Sequence, residues 1–427
     1  MRLVLFCHTA EIGGTEKHTT DLAGVLAERG HAVTLVALGE PVFDVAGLAA
    51  AGVYFHHAPI GRPVADLSFA DWQAAFRPFP ADVAVFTKTH FEFGSVRLDL
   101  AFRTVFPHAV CVEHSIPFPL TARLLASRFA RAVQSLGLPV PWNFDLWRHA
   151  RRGIGPARVV TVCRANRHRL VREYRYPGWK IGVVHNGVDP AVFRPDTARR
   201  AAARQAWGVP IESFVFGAVG RLCPVKGYDV AIVAFARLRA ATDRDMRLVL
   251  VGDGVLADDL KRQAASLGDA IVLPGRTETP WESLCGLDCF LMPSRMEGLP
   301  YALLEAMAAE VYPLATPVAG IPEVLSDPAV GDLIPVDDVE AWVAAMGRVL
   351  AMPDAERHRA GAAGRAHVVQ HFDAGRQYQE FAEILEKLRY SWRPWVGAMG
   401  IRLLGRIVYG ANIGAVGRRL RRYLEWE

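Results

Sequence analysis

The chain has 427 residues, 51% of them hydrophobic, and a formal net charge of +5. This length predicts two or three domains, and this hydrophobic content excludes an intrinsically disordered chain. The six cysteines stand singly, the first residues lack the apolar core of a signal peptide, and no run of 18 uncharged apolar residues occurs. We therefore expect a reduced, cytoplasmic protein without a membrane-spanning helix.

Short apolar runs alternate with amphipathic stretches through the first half of the chain, which is the pattern of α/β domains with parallel sheets. Between the first predicted strand and a helix predicted over 16–28, Gly13 and Gly14 offer N–H groups that suit a phosphate or a sugar. A plain tight turn is the alternative. Strands are predicted at residues 3–7, 32–38, 53–56, 83–87, 109–112, 159–162 and 181–184.

His114 follows the strand predicted at 109–112, at the sheet edge where α/β proteins bind ligands. A histidine of the core or of the surface is the alternative interpretation. A break in the alternation at 186–210, with Asn-Gly, Asp-Pro and Arg-Pro pairs, indicates a domain boundary.

The second half repeats the α/β alternation. Strands are predicted at 214–219, 247–251, 270–273, 289–292 and 312–315, with helices at 228–238 and 341–350. Arg221 and Lys226 lie between the first of these strands and the next helix, so both cations can converge on a diphosphate. Two exposed cations beside a turn are the alternative.

Glu297 and Glu305 bracket Pro300, where the sequence predicts that a loop enters a helix. Two carboxylates beside a helix N-terminus suit a ligand rich in hydroxyl groups, with a phosphate nearby. The apolar stripe of this helix places Glu305 at its edge. A solvated loop glutamate with a surface helix glutamate is the alternative.

The ordered motifs at residues 11–16, 112–115, 184–189, 220–227 and 294–305 together resemble the retaining glycosyltransferases of the family 4 type, which have the GT-B fold. The resemblance covers roughly residues 1–390. It implies two Rossmann-like domains that face across a cleft, with a C-terminal helix over 373–387 that crosses back to the first. The domains expected are an acceptor-side domain over 1–187, a nucleotide-sugar-binding domain over 188–372, and the returning helix with a basic tail over 373–427.

The resemblance also implies roles for these residues. Glu305 would bind the nucleotide ribose, while Glu297, with Gly298 and Leu299 beside it, would lie at the donor sugar. Arg221 and Lys226 would neutralise the diphosphate, so neither a metal nor another cofactor is expected. His114 would contact the donor sugar or the acceptor. The chain departs from the family at Glu310, where glycine usually stands, and this alters a helix cap only.

Two basic segments stand out. Residues 117–180 hold 13 lysines and arginines against Asp145 and Glu173, a local charge of +11, and residues 391–427 have a local charge of +5. The first includes a basic amphipathic helix predicted over 119–136. Such segments suit an anionic membrane surface, although their apolar faces can equally pack on the protein. Nucleic acid is not expected as a partner, because no recognition module accompanies the charge.

These features predict a retaining, metal-independent glycosyltransferase that moves a sugar from a UDP- or GDP-linked donor to a hydroxyl of a glycan or lipid-linked acceptor. Bacterial cell-surface polysaccharide or glycolipid assembly is the expected setting, on the inner face of the cytoplasmic membrane. Two alternatives remain, another GT-B sugar-nucleotide enzyme such as an epimerase, and a non-catalytic subunit that binds sugar nucleotides.

Overall fold

The computed structural model describes residues 1–8, 13–40, 43–88, 95–114, 156–173 and 176–389. They form two compact units, one made of Met1–Val184 with the chain from Tyr378 onwards, the other of His185–Gln377. Each unit is built on one parallel sheet with helices between its strands.

The first unit has a seven-stranded sheet in the order β3-β2-β1-β4-β5-β6-β7. Leu3 of β1 lies between Val33 of β2 and Val83 of β4, and all three strands are parallel. Its strands are β1 (Arg2–Cys7), β2 (Ala32–Ala37), β3 (Val53–His57), β4 (Val83–Lys88), β5 (Ala109–Glu113), β6 (Arg158–Thr161) and β7 (Ile181–Val183). Its described helices are α1 (Gly14–Glu28), α2 (Val45–Ala50), α3 (Phe69–Phe76), α4 (Ser95–Val105) and α5 (Arg164–Arg172).

The second unit repeats this order in a six-stranded sheet, β10-β9-β8-β11-β12-β13. Its strands are β8 (Phe214–Val219), β9 (Met246–Val251), β10 (Ile271–Gly275), β11 (Cys289–Met292), β12 (Tyr312–Ala315) and β13 (Asp332–Leu333). Its helices are α6 (Thr197–Trp207), α7 (Tyr228–Ala240), α8 (Ala257–Ala264), α9 (Pro280–Cys285), α10 (Tyr301–Ala308), α11 (Ile321–Val324), α12 (Val339–Ala351) and α13 (Asp354–His371). The two sheets confirm the predicted pair of parallel α/β, Rossmann-like units.

Each unit has its own core. In the first, Phe6 of β1 packs edge-on against Phe76 of α3 and Phe102 of α4, with ring centroids 5.0 and 5.8 Å apart. In the second, Trp342 of α12 is fully buried in a cluster that includes Phe235 of α7. The apolar strand runs of the sequence are thus covered by helices, as a parallel sheet requires.

The last described helix, α14 (Ala374–Arg389), begins in the second unit and belongs to the first from Tyr378 onwards. There the Tyr378 hydroxyl donates to Asp21 at 3.2 Å. Glu386 accepts hydrogen bonds from the Arg29 guanidinium at 3.0 Å and lies 2.9 Å from Nε2 of His31. This is the returning helix that the resemblance implied over 373–387.

The predicted strands are all present, with ends displaced by no more than two residues, and α1 begins two residues earlier than predicted. The sequence missed β13, whose two residues at the sheet edge are too few to form a pattern. The amphipathic helix predicted over 119–136 and the tail 391–427 lie outside the described residues.

Glu310 ends α10 in a left-handed conformation with φ of 62°. Its N–H bonds the Met307 carbonyl at 3.0 Å, and the next N–H bonds the Ala306 carbonyl at 3.0 Å. This is the cap geometry that glycine supplies without strain. A residue with a Cβ stores about 1–2 kcal/mol in this conformation.

Replacing Glu310 with Gly is therefore expected to raise the free energy of unfolding by about 0.5–1 kcal/mol, since relief of strain exceeds the added backbone entropy of glycine. Urea denaturation measures the change. The matched control is Glu380→Gly, an exposed position inside α14 where glycine costs about 1 kcal/mol. A fall in stability for Glu310→Gly would contradict the assignment of strain.

Candidate functional site

The strand order of the second unit reverses at β8, because β9 and β10 lie on one side of it and β11 to β13 on the other. Loops that leave the carboxyl ends of β8 and β11 therefore diverge, and α/β sheets of this order bind ligands at that point. The loop after β8 carries Arg221 and Lys226, and the loop after β11 carries Glu297. Both sequence motifs thus flank the position at which a ligand is expected.

Lys226 and Glu297 form an ion pair between these two loops. The Lys226 Nζ lies 2.8 Å from Oε1 of Glu297, and the Ser294 hydroxyl donates to the same oxygen at 2.6 Å. The Lys226 and Glu297 side chains remain 20% and 10% exposed, so solvent reaches the pair. The sequence placed both residues at the site, but it gave no sign that they pair with each other.

The turn that carries Lys226 is fixed by Gly227, whose φ of +67° is left-handed and whose Cβ position is occupied by the Pro293 carbonyl oxygen. Burial raises the pKa of the neighbouring Tyr228, and the Glu297 carboxylate raises it further, so its hydroxyl stays protonated. Arg221, at the start of this loop, is exposed. The loop thus presents one exposed cation and one cation paired with a carboxylate.

The predicted entry of a loop into a helix at Pro300 is confirmed, since Pro300 caps α10 in an extended conformation. Gly298, in that loop, accepts a hydrogen bond from the Gly320 N–H at 2.8 Å. Leu299 is buried at 2% exposure. Glu305, in the second turn of α10, is 7% exposed, so its carboxylate is not the solvated surface group of the alternative interpretation.

In the first unit, His114 follows the carboxyl end of β5, as predicted. Burial lowers the pKa of its imidazole to about 4, so the ring is neutral at pH 7. No hydrogen-bond partner reaches its Nε2 within the part of the chain that the structure describes. Its carbonyl accepts a hydrogen bond from the Asn166 side chain at 3.3 Å.

His18 of α1 packs against His114, with ring centroids 4.7 Å apart and planes at 82°. It is fully buried, and its other face meets Tyr378 and Phe381 of α14 at 5.5 and 5.8 Å. The sequence analysis missed His18. Only its position four residues before Leu22, on the apolar face of α1, could have indicated a buried histidine in this helix. That spacing is equally typical of an ordinary core residue.

Lys88, at the carboxyl end of β4, is buried between two carboxylates. Its Nζ lies 2.6 Å from Asp99 and 3.2 Å from Glu113, the residue before His114. Burial opposes the ammonium charge, but the carboxylates outweigh it and raise the pKa of Lys88. This cluster ties β4, α4 and β5 together at the residue before His114, and no sequence motif indicated it.

Gly13 precedes α1 and Gly14 begins it, so their predicted position at a helix N-terminus is confirmed. Glu16, in the first turn, is 5% exposed, and its Oε2 would lie 3.1 Å from a Cβ at Gly13. A side chain at position 13 would therefore press on this carboxylate. Residues 9–12, which join β1 to this turn, lie outside the described residues.

The structure thus groups Arg221, Lys226, Glu297, Gly298, Leu299 and Glu305 in the second unit, and Gly13, Gly14 and His114 in the first. Within the described ranges, no three His, Cys, Asp or Glu side chains are placed to hold a metal ion. None of the described helices has both the length and the apolar character needed to cross a bilayer.

Two family models match the chain. The model of glycosyltransferase family 4 matches residues 12–192, and the model of glycosyl transferases group 1 matches residues 199–367. The chain is 33% identical over 286 residues to a GDP-mannose-dependent α-(1-6)-phosphatidylinositol monomannoside mannosyltransferase of Mycolicibacterium smegmatis, an alignment that covers 64% of this chain and 73% of the relative. It is 28% identical to a D-inositol 3-phosphate glycosyltransferase of Stackebrandtia nassauensis, over 83% of this chain and 82% of the relative.

Among solved structures, Anabaena HepE in complex with UDP superposes with a TM-score of 0.69 at 17% identity, and the superposition covers 91% of this chain and 100% of HepE. At this identity the likeness shows the fold, which is GT-B. The two matched models coincide with the two Rossmann-like units, and the motifs that carry Arg221, Lys226 and Glu297 lie at the switch point of the second. The chain belongs to the family 4 type of glycosyltransferases, the glycosyl transferases group 1.

Proposed function

We propose that the protein is a retaining, metal-independent glycosyltransferase that moves a hexose-type sugar from a UDP- or GDP-linked donor to a hydroxyl of a glycan or glycolipid. The observation that carries this proposal is the Lys226–Glu297 pair at the switch point of the second unit, with Glu305 buried in the helix that follows. One relative is named for GDP-mannose, and HepE was solved in complex with UDP, so the comparisons support both donor bases.

In the proposed mechanism the donor diphosphate lies between Arg221 and Lys226. The leaving nucleoside diphosphate gains negative charge as the glycosidic bond breaks, so these cations bind the transition state more tightly than the substrate. Their charge takes the place that a metal ion has in other transferases. Glu297 holds Lys226 in position before the donor binds, and its carboxylate also accepts hydrogen bonds from hydroxyls of the donor sugar.

Glu305 accepts hydrogen bonds from the ribose hydroxyls, the role that the likeness to the family implies for it. Two adjacent ribose hydroxyls are suitable donors to one carboxylate, and hydrogen bonds to a charged group of low exposure are strong. The acceptor hydroxyl attacks on the face from which the phosphate departs, and the departing phosphate takes its proton. His114, neutral at pH 7, orients the sugar or the acceptor and does not act as the base.

The acceptor is proposed to be a glycan or a lipid-linked sugar of the bacterial cell surface. Two relatives are named for acceptors that contain an inositol phosphate. One of these acceptors, phosphatidylinositol monomannoside, is a glycolipid, which supports the lipid-linked class.

We place the protein in the cytoplasm, at the inner face of the cytoplasmic membrane. The described part of the basic segment supports this location, because α5 carries Arg164, Arg167, His168 and Arg172 on exposed positions. Trp179 nearby is 64% exposed.

Calorimetric titration with UDP, GDP and ADP in the presence of EDTA tests the donor site. One nucleotide is expected to bind, and Glu305→Gln or Lys226→Ala is expected to weaken its Kd about 10- to 100-fold, the effect of one lost charged hydrogen bond. Glu380→Gln and Lys261→Ala are matched controls on exposed helix positions. If no nucleotide binds, or if Glu305→Gln and Lys226→Ala both keep the wild-type Kd, the donor site is contradicted.

A buried neutral His114 predicts a pH dependence of stability. Its pKa of about 4 in the folded protein is below the ordinary value of 6.5, so folding is favoured by the neutral ring. That contribution is complete above pH 6.5 and is lost as the pH falls from 6.5 to 4. We expect urea denaturation between these pH values to show a smaller loss of stability for His114→Gln than for wild type.

Exposed His168→Gln serves as the control for this experiment and should follow the wild-type dependence. If the His114 imidazole titrates above pH 6 by NMR, the neutral positioning role is excluded.

Flotation with liposomes tests the membrane surface. Removing three charges by Arg164, Arg167 and Arg172→Gln is expected to weaken binding to anionic liposomes about 100-fold at low salt, since each basic residue near such a surface contributes about 1 kcal/mol. The matched triple variant changes Arg237, Arg262 and Arg348, which are exposed in the second unit and pair with acids. Equal flotation of both triple variants, or none by wild type, would refute the proposal.

A further inference from the structure

The first residues of the second unit contact the two loops of its proposed donor site. The Asn186 side-chain N–H₂ donates to the Leu299 carbonyl at 2.7 Å. Nε2 of His185 lies 3.0 Å from Oε2 of Glu323, in the helix α11 that follows Gly320. The sequence analysis placed a domain boundary at 186–210 and assigned Asn186 and His185 no role in the site.

The two contacted loops are themselves joined. The Gly320 N–H bonds the Gly298 carbonyl at 2.8 Å, and the Thr316 hydroxyl bonds the Ser294 carbonyl at 2.5 Å. Ser294 in turn holds Glu297, the partner of Lys226. A displacement at Leu299 or Glu323 would therefore reach the ion pair through two or three hydrogen bonds.

Asn186 is well placed to hold this network because its own backbone is fixed. Gly187 packs so closely on Ala374 that a Cβ at position 187 would clash with that backbone. The Val188 N–H bonds the Phe372 carbonyl at 2.8 Å, and the Ala374 N–H bonds the Val188 carbonyl at 3.0 Å. The amide of Asn186 therefore extends from a rigid anchor.

The orientation of this amide is determined by its partner. The Leu299 carbonyl can only accept, so the N–H₂ group faces it and the amide oxygen points elsewhere. Asn186 is 2% exposed, and its oxygen has no hydrogen-bond partner among the residues that the structure describes. The contact with Leu299 is thus the one that the described structure gives this buried side chain.

We propose that Asn186 and His185 are positioning residues for the nucleotide-sugar donor, which act by holding the Glu297–Gly298–Leu299 loop and the Gly320–Glu323 loop in register. This inference rests on the proposed function, because it assigns those loops to the donor. Neither residue needs to touch the donor. Loss of either contact loosens the loops and weakens donor binding more than it slows the chemical step.

The test compares nucleotide affinity and kinetics in the full-length protein, with UDP, GDP and ADP as probes. Asn186→Ala is expected to weaken the Kd of the bound nucleotide about fivefold, as one lost hydrogen bond does. The KM of the donor should rise by a similar factor while kcat changes less than twofold. Glu323→Ala should weaken Kd about threefold, and Glu323→Gln, which keeps an oxygen acceptor for His185, should restore it.

The matched control is Gln377→Ala. Gln377 is also a buried amide of the second unit, but it donates to the His371 carbonyl and contacts neither loop. Circular dichroism melts of all variants separate loss of fold from loss of affinity. The inference would be overturned if folded Asn186→Ala keeps the wild-type Kd, or if Gln377→Ala weakens the Kd equally. If Asn186→Ala does not fold, the comparison of Glu323→Ala with Glu323→Gln decides the question. If wild type binds a nucleotide and the variants bind it with the same Kd, only this inference is refuted. If wild type binds no nucleotide, the proposed function is refuted as well.

Discussion

The reversal of strand order at β1 and at β8 determines where each sheet can bind a ligand. In both sheets the second and third strands lie on one side of the first strand, and the fourth strand lies on its other side. At such a reversal in a parallel sheet, the loops that follow the two central strands diverge and leave a gap. Such a gap exposes backbone N–H groups and helix N-termini without any side chain having to create the space. The motifs after β8 and β11 use the gap in the second unit, and His18 of α1 and His114 after β5 flank the corresponding end of the first sheet.

Two lysines that pair with carboxylates differ in exposure, and this difference separates a structural charge from one that is available to a ligand. Lys88 is 2% exposed between two carboxylates, and exchanging them for a ligand would leave charges stranded in a medium of low polarity. The Lys226 side chain is 20% exposed, and in the described structure it pairs with the Glu297 carboxylate. In the proposed mechanism, the donor diphosphate shares Lys226 with Glu297. Lys88 thus has a structural role between strands, whereas the exposure of Lys226 suits reversible binding of an anion.

The sequence predicts this fold well because parallel strands covered on both faces must be apolar runs, and such runs are visible without any tertiary information. It also predicts Glu297, Glu305, Arg221 and Lys226 as one site, because each motif follows a predicted strand of the same parallel sheet, and the carboxyl ends of parallel strands lie at one edge. It does not predict the pairing of Lys226 with Glu297, which are 71 residues apart, because that depends on how two loops meet. His18 and Asn186 were missed for the same reason, since a buried polar residue on an apolar face or in a turn has no local signature.

The course of α14 has a consequence for how the chain acquires its structure. The first unit is made of two separate stretches, whereas the second is continuous from His185 to Gln377. Tyr378, Phe381 and Glu386 supply the first unit with partners for Asp21, His18 and Arg29. During synthesis from the N-terminus, the second unit is complete before these partners leave the ribosome. The unit that is translated first is thus the last to obtain all of its contacts, because α1 packs on residues of α14 that are synthesised after the second unit.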